Sequence, residues 1–254
     1  MAEFLTSTRL AREGFRHAFF TRRGGASSGP YATLSFSLTV GDEPAAVEEN
    51  HRRAAAVLGV EPARLLYLSQ VHGAAVVVAE PAIEREACAR IEGDALLARS
   101  GRLACGVRSA DCVPILLADP VSGAVGAVHA GWRGVEAGVA VAAVAALAGA
   151  GGAGRLVAAI GPHIGPRAFE VGEDVAARLV AASPKAAVVT RDGGRTRIDL
   201  RAIVRAQLRA AGLPDDAIDD VRGCTYSEPE RFHSYRRDGA TSGRHLSAIV
   251  PRST

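Results

Sequence analysis

Three short segments of the chain each carry one side chain that can bind a soft or borderline metal ion. His72 lies in Gln-Val-His-Gly, Cys112 in Asp-Cys-Val-Pro and His129 in His-Ala-Gly-Trp-Arg-Gly. One thiolate and two imidazoles suit a zinc ion whose fourth position stays open for water or substrate. A structural zinc site normally has four protein ligands, often in Cys-x-x-Cys pairs, and the sequence has no such pair. The pattern therefore predicts a catalytic Zn²⁺ site.

Copper is the alternative metal for the same three ligands. A blue-copper site takes one Cys and two His, usually with a distant axial Met. The only methionine is Met1, although a carbonyl oxygen can take that place. A multicopper oxidase needs paired His-x-His segments, and this chain has seven histidines and no such pair. We therefore expect Zn²⁺, with Cu²⁺ as the alternative.

The same residues also support a chemistry that needs no metal. Cys112 would act as a nucleophile, with His129 or His72 as its base. Asp111 or Asp94 would orient the imidazole. This arrangement is typical of cysteine hydrolases and deamidases. Because a metal-bound thiolate is not free to attack a substrate, the two hypotheses exclude each other.

Two aspartates are the candidates for proton transfer if a metal is bound. Zinc lowers the pKa of bound water towards neutrality, and nucleobase deaminases combine this effect with a Glu in a His-x-Glu motif. No His-x-Glu occurs in this chain. Asp94 and Asp111 are therefore the predicted proton carriers.

Cationic and amide side chains near glycine-rich turns predict a site for an anionic substrate. Guanidinium groups bind phosphate oxygens well, and the C-terminal loop is rich in Arg and His. That loop contains Arg231, His233, Arg236, Arg237, Arg244 and His245. The predicted substrate-binding residues are Arg23, Arg133, Arg236 and Arg237, with Gln70 added because its amide can hydrogen-bond the edge of a base or orient His72.

Apolar runs and glycine turns predict the elements that position these residues. The segment 65–80 is predicted to form two strands, or one bent strand with His72 at the bend. A strand is predicted to begin just after Cys112 and another to end at His129, followed by an alanine-rich helix that ends near Gly149. Further helices are predicted over 44–58 from a cap at Asp42, over 172–182, and over 199–212 from a cap at Asp199. A polar loop over 225–244 precedes a last strand over 246–250. Strands and helices alternate irregularly, which predicts a mixed-sheet α/β or α+β domain in one piece.

Composition limits the classes of protein that need to be considered. The chain has 254 residues, 48% of them apolar, a formal charge of +3 and a pI of about 8.9. No run of Lys and Arg indicates a nucleic-acid partner. The four cysteines are widely spaced, which is typical of a reduced, cytoplasmic protein. The N-terminus has no signal-peptide pattern, and the uncharged stretch 137–154 is glycine-broken and predicts a buried helix rather than a membrane span.

The ligand segments, with Cys224-Thr225 and the sequence Phe-His-Ser-Tyr-Arg-Arg-Asp that ends at Asp238, resemble the YfiH-like family. Its members are often labelled laccase-domain or multicopper polyphenol oxidoreductases. The resemblance implies an α+β fold of layered mixed β-sheets flanked by helices, in a single domain over residues 1–254. It also implies that His72, Cys112 and His129 are the metal ligands.

The resemblance implies an activity as well. It points to a zinc-dependent purine nucleoside phosphorylase that converts adenosine, inosine or methylthioadenosine into base and ribose 1-phosphate, with adenosine deaminase side activity. The expected partners are a purine nucleoside and phosphate, with no nucleic acid and no membrane, in a monomer or small homo-oligomer. The alternatives are a copper polyphenol oxidoreductase, a cysteine hydrolase or deamidase, and a peptidoglycan-precursor editing enzyme.

Overall fold

The computed structural model describes residues 1–99, 101–149, 152–183 and 189–252 of the chain. The strands in these ranges are β1 (Phe4–Leu5), β2 (His17–Phe20), β3 (Leu65–Leu66), β4 (Val76–Val78), β5 (Ala95–Ala98), β6 (Ala104–Ser109), β7 (Val113–Ala118), β8 (Val125–Ala130), β9 (Val157–Ile160), β10 (Glu170–Val171), β11 (Val189–Asp192), β12 (Arg195–Ile198), β13 (Ile218–Asp220) and β14 (His245–Ile249). The α-helices are α1 (Thr8–Arg12), α2 (Pro44–Leu58), α3 (Arg85–Cys88), α4 (Trp132–Glu136), α5 (Val139–Ala148), α6 (Glu173–Ala182), α7 (Leu200–Ala210) and α8 (Tyr235–Asp238).

The strands form three sheets that mix parallel and antiparallel pairs. The five-stranded sheet has the order β1-β2-β14-β6-β3, the six-stranded sheet the order β13-β9-β7-β8-β5-β4, and a small sheet the order β10-β12-β11. In the large sheets, β3 with β6, β4 with β5, and β13 with β9 are parallel, whereas the other pairs are antiparallel. This confirms the mixed sheets predicted from the sequence.

Three buried clusters hold the layers together. The first fills the space between the two large sheets, where Phe19 and Val107 of one sheet meet Leu116 of the other. A second joins the outer face of the five-stranded sheet to α2. The third packs α5 and α7 against the outer face of the six-stranded sheet. The layer order is therefore helix, sheet, sheet, helices, and the expected α+β architecture of layered sheets flanked by helices is confirmed.

Strand β7 illustrates why the central strands have continuous apolar sequences. All six of its residues are buried. Val113, Ile115 and Leu117 belong to the cluster under the helices, whereas Leu116 and Ala118 belong to the cluster between the sheets. Successive side chains of a strand point to opposite faces, and here both faces are covered, so no polar alternation remains in the sequence.

Several predicted elements are confirmed with changes at their ends. Helix α7 begins after Asp199, whose carboxylate accepts the Ala202 N–H at 3.1 Å, as predicted. Helix α2 has the predicted bounds, but the cap at Asp42 was wrong because Glu43 occupies the cap position. The Asp42 carboxylate instead accepts the Ser27 hydroxyl at 2.7 Å.

The stretch 65–80 contains two strands, β3 and β4, which was one of the two predicted arrangements, and His72 lies between them. These two strands belong to different large sheets. The alanine-rich segment forms α5, which ends at Ala148, close to the predicted end at Gly149. A separate short helix, α4, precedes it, and Gly138 between the two helices adopts a left-handed conformation with φ 76°. The C-terminal polar loop contains the short helix α8. Among the described residues, no helix has both the length and the apolar character needed to cross a membrane.

A buried ion pair fixes the turn between β7 and β8. Asp119 is fully buried, and its carboxylate accepts the Arg155 guanidinium at 2.8 and 2.9 Å, the Ser122 hydroxyl at 2.6 Å and the Val121 N–H at 3.0 Å. Burial alone would raise the pKa of Asp119, but these donors outweigh it and lower the pKa to about 2. The hairpin held by this turn sets Pro114 opposite His129.

Asp119→Asn is expected to lower the free energy of unfolding at pH 7 by about 1–3 kcal/mol, because it leaves buried donors without their charged acceptor. The folded-state pKa lies below the unfolded value of about 3.9, so this stabilisation is present above about pH 4 and is lost as the pH falls towards 2. Urea unfolding should therefore show a difference in the free energy of unfolding between wild type and variant at pH 7, and this difference should be smaller at pH 3.

The matched control is Glu170→Gln, whose carboxylate is about half-exposed and lies 3.8 Å from Arg195. Such exposed pairs contribute little, so the unfolding midpoint of this variant should not change. The stabilising role of the Asp119 carboxylate would be contradicted if Asp119→Asn were as stable as the wild type at pH 7. It would also be contradicted if the stability difference between the two proteins did not shrink at acid pH.

Candidate functional site

The side chains of His72, Cys112 and His129 converge at one end of β7 and β8. Their potential ligand atoms all lie within 4.8 Å of one another. The two imidazole rings are 4.9 Å apart between centroids and nearly perpendicular, at 79°. His129 is buried, Cys112 is partly buried and His72 is exposed. The group is therefore anchored in the protein on one side and open to solvent on the other.

Local structure explains how distant residues come together. Cys112 immediately precedes β7, and His129 lies near the end of β8, where antiparallel pairing sets Val113 opposite Ala130. His72 lies in the connection between β3 and β4 with φ 61°, and Asp111 has φ 85°. Within the described ranges these are the two non-glycine residues with positive φ. Such conformations are costly and persist where surrounding contacts impose them, often at functional sites.

The buried carboxylate of Asp94 holds two of these segments in place. It accepts hydrogen bonds from Nδ1–H of His129 at 2.8 Å, from the His72 backbone N–H at 3.0 Å and from the Gly73 backbone N–H at 2.6 Å. Burial alone would raise its pKa, but the bonds to His129 and to these amides lower it overall. With Nδ1 occupied, the Nε2 of His129 is left for a metal or for Cys112.

Gly131 leaves the space that the three side chains occupy. A β-carbon at this position would lie 2.8 Å from Cδ2 of His72 and 3.1 Å from Sγ of Cys112. Its φ of −68° is compatible with any residue, so the requirement for glycine is steric rather than conformational.

Without a metal, the site favours a thiolate and an imidazolium. Burial alone would raise the pKa of Cys112, but the charge of His129 and polar contacts with both histidines lower it to about 6. Burial alone would lower the pKa of His129, but the Cys112 thiolate and Asp94 raise it to about 9. A thiolate is the form of cysteine that binds metals and attacks substrates, so this electrostatic environment suits both chemistries.

The three residues also fit a metal ion by their donor chemistry. One sulfur and two nitrogens on an anchored, one-sided group are typical of a site with an open position. Asp94 supplies the carboxylate that usually orients a metal-binding histidine. Within the described ranges, His72, Cys112 and His129 form the single group of three or more such ligands, which favours one ion over a multi-ion cluster.

A cavity of about 670 Å³ opens onto the three residues. Sites for small molecules typically enclose about 300–1,000 Å³. Its walls combine the aromatic residues Trp132, Phe169 and Tyr235 with hydroxyl side chains and four arginines, Arg108, Arg133, Arg236 and Arg244. A larger groove of about 1270 Å³ between α5 and α7 is lined by alanines and by charged and polar side chains, and none of the three candidate metal ligands lines it.

Three of the five predicted substrate-binding residues line this cavity, namely Gln70, Arg133 and Arg236. The Gln70 amide exchanges two hydrogen bonds with the Arg108 backbone, at 2.7 and 2.8 Å, so it braces the cavity wall. Arg23 and Arg237 do not line the cavity. Arg23 donates to the Glu230 carbonyl at 2.7 Å. Arg237 donates to backbone carbonyls of the C-terminal loop and to Asp238.

The two predicted proton carriers have different positions. Asp94 is fully buried behind His129, whereas Asp111 lines the cavity. Asp111 accepts the Thr225 hydroxyl and the Arg236 N–H, both at 2.6 Å, and thereby ties the C-terminal loop to the site.

Sequence reasoning missed Arg108. This residue lies within β6, in a strand of otherwise mostly small and apolar residues, and far from any glycine-rich motif. The signal that could have identified Arg108 was its charge, because an arginine in a buried strand requires polar partners or access to solvent or a ligand.

Comparisons with known proteins identify a family and several relatives of this chain. The family described as multi-copper polyphenol oxidoreductase laccase matches residues 16–252. A Deinococcus radiodurans protein named purine nucleoside phosphorylase is 41% identical over 238 residues, which cover 93% of this chain and 89% of that protein. The Escherichia coli protein named purine nucleoside phosphorylase YfiH is 38% identical and covers 90% of both chains. The crystal structure of YlmD from Geobacillus stearothermophilus superposes with a TM-score of 0.89 and 32% identity over all of both chains.

Gly131→Ala is expected to reduce metal affinity by at least about tenfold, because the new methyl group displaces His72 and Cys112 from their common centre. The check is metal content by elemental analysis after dialysis against a weak chelator. Gly154→Ala is the matched control, since its β-carbon would meet nothing closer than 4.0 Å. If Gly131→Ala retained the wild-type metal content, the steric requirement would be refuted.

Proposed function

The chain belongs to the multi-copper polyphenol oxidoreductase laccase family, and we propose that it is a metal-dependent purine nucleoside phosphorylase. The enzyme would convert a purine nucleoside and phosphate into the free base and ribose 1-phosphate. The observation that carries the proposal is the name of its relatives, which are 41% and 38% identical over at least 90% of this chain. A cavity of suitable size beside a complete His-Cys-His group supports it.

We propose Zn²⁺ as the metal, held by His72, Cys112 and His129. The thiolate and imidazole donors suit zinc, and no methionine other than Met1 is present to complete a blue-copper site. When bound, the ion would supply a Lewis acid that polarises an oxygen atom of a substrate. Asp94 would keep His129 in the orientation and tautomer that metal binding needs.

The cavity offers separate features for the two parts of a nucleoside reaction. Tyr235 is about half-exposed and can stack on a purine through the ring face away from Arg244, whose guanidinium lies 5.6 Å from the ring centroid. The Trp132 ring is already contacted by the guanidinium groups of Arg133, at 4.4 Å, and Arg178, at 5.2 Å. Asp111 lines the cavity, so we assign it to proton transfer or hydrogen bonding with the nucleoside rather than Asp94, which is buried behind His129.

A cysteine hydrolase is the second candidate, because a specific arrangement favours it. Cys112, His129 and Asp94 form a thiol–imidazole–carboxylate series, with 2.8 Å between His129 and Asp94 and a Cys112 pKa lowered to about 6. This is the arrangement that activates a nucleophilic cysteine. It competes with the metal for the same sulfur atom.

Cys112→Ala tests the metal-dependent proposal. We expect near-stoichiometric zinc and phosphate-dependent base release from inosine and adenosine in the wild type. The variant should lose the metal and at least about 100-fold of the rate, since changes outside the ligand set alone cost about 10–100-fold. Cys224→Ala is the control, because this partly exposed thiol lies outside the cavity and should leave both readouts unchanged. A wild type that holds no metal and releases no base would refute the proposal.

Chelation and alkylation separate the two candidates. For the metal enzyme, removal of zinc by a strong chelator should abolish base release, zinc should restore it, and bound zinc should protect Cys112 from iodoacetamide. A cysteine hydrolase would instead keep its activity in the presence of the chelator and lose it on alkylation of Cys112. Mass spectrometry of the alkylated peptide, followed together with activity, distinguishes the outcomes.

A further inference from the structure

Unneutralised positive charge is concentrated around the cavity. Within the described ranges, none of the four cavity arginines, Arg108, Arg133, Arg236 and Arg244, forms an ion pair, although many arginines elsewhere do. Asp111 is the one acidic side chain among the described residues that line the cavity, and it already accepts two hydrogen bonds. Such a surface attracts an anion.

Two of these arginines are neighbours by the register of the five-stranded sheet. Strand β14 pairs with β6 so that Leu246 lies opposite Arg108 and His245 opposite Ser109. Arg244, two residues before Leu246, is therefore the diagonal neighbour of Arg108 on the same face. Burial lowers the pKa of Arg108, and the positive charge of Arg244 lowers it further.

We propose that Arg108 and Arg244 form the subsite for the phosphate co-substrate, an inference that rests on the phosphorolysis proposed above. Both guanidinium groups keep N–H donors that no described residue accepts. Arg108 stacks on Tyr67 at 4.2 Å and makes one long bond of 3.4 Å to the Leu68 carbonyl. Arg244 uses Nη1 alone, for the Ser242 and Gly243 carbonyls. The remaining donors are available to phosphate oxygens.

Hydroxyl groups and the reacting centre lie next to this arginine pair. Ser37, Thr39 and Ser109 line the same cavity. The Ser37 and Thr39 hydroxyls are hydrogen-bonded to each other at 2.9 Å, so one of these two and Ser109 remain as neutral donors of the kind found in phosphate sites. Arg244 lines the same cavity as Cys112 and Asp111. A phosphate held there is therefore placed beside the metal-ligand group.

The other two cavity arginines are engaged differently. Arg133 stacks on Trp132, and Arg236 lies 5.6 Å from the Phe169 ring and donates to the Glu170 carbonyl at 2.7 Å. Arg108 and Arg244 also lie near aromatic rings, at 4.2 Å from Tyr67 and 5.6 Å from Tyr235. What distinguishes this pair as the proposed phosphate side is that the two arginines are neighbours on one face of the five-stranded sheet.

The chemistry assigned to the pair is binding and orientation. In phosphorolysis a phosphate oxygen forms a bond to C1′ of the ribose while the bond from C1′ to the purine nitrogen breaks. The base leaves with the bonding electron pair and takes up a proton. Two guanidinium groups would hold the phosphate as an anion and direct one oxygen at C1′, which lowers the entropic cost of the encounter.

Arg108→Gln and Arg244→Gln test the assignment through the phosphate dependence of base release from inosine. We expect the KM for phosphate to rise about tenfold or more in each variant, as for the loss of hydrogen bonds to a charged group, while the KM for inosine changes less than about twofold. Arg108→Lys and Arg244→Lys keep the charge and should recover part of the loss. Arg52→Gln is the control, because it removes the same charge from an exposed site on α2.

Binding of inorganic phosphate alone, measured by isothermal titration calorimetry on the zinc-loaded proteins, keeps this test separate from the proposed function. If the wild type is active and both Gln variants have an unchanged KM for phosphate, the subsite proposal is overturned and the phosphorylase proposal stands. If the wild type has no phosphorolytic activity, the phosphorylase proposal fails, and the subsite is judged by phosphate binding. The subsite is supported if the Gln variants lose phosphate binding while their circular dichroism spectra and zinc content match those of the wild type. Unchanged phosphate binding in these variants refutes the subsite.

Discussion

The buried carboxylate of Asp94 is the contact on which the candidate site depends. It binds the imidazole of His129 and the backbone amides of His72 and Gly73, and so connects the loop before β4 to the end of β8. A carboxylate removed from water is stable only where several donors compensate its charge, and this one has four, counting the Val71 amide at 3.3 Å. The left-handed conformation of His72 is maintained by these bonds, which makes the three-residue group a property of the fold rather than of flexible side chains.

Much of the fold could be predicted because long apolar runs and helix caps are local signals. Helices α2 and α7, the strand after Cys112 and the strand that ends at His129 all follow from such patterns. The sheet order could not be predicted, because it pairs segments that are far apart, as when β14 inserts between β2 and β6. Strands buried on both faces show no alternation, so the sequence gives no indication of which sheet each one joins. For the same reason β3 and β4, which are close in sequence, could not be assigned to separate sheets.

The candidate site was predictable to the extent that residue type reveals chemistry. A thiol and two imidazoles at strand ends identify a metal or nucleophile group, and the structure brings these three side chains together. The roles of the arginines were harder to predict, since a guanidinium group can donate hydrogen bonds to a backbone carbonyl as well as to a substrate. Arg23 and Arg237 do the former, whereas Arg108, inside a strand, reaches the cavity. Only tertiary contacts decide between these uses, because they determine which donors are already occupied.

The same electrostatic design explains why one group of residues supports two competing chemistries. The Cys112 thiolate is stabilised by His129, and His129 by Asp94, before any ligand is present. A divalent ion that replaces the proton of His129 would keep the thiolate compensated. It would also add positive charge to a cavity whose four arginines form no ion pair with any described residue. A neutral or cationic substrate gains nothing from that excess, whereas a phosphate ion does. The charge of the cavity therefore suits an anionic co-substrate, which is what the proposed phosphorolysis requires.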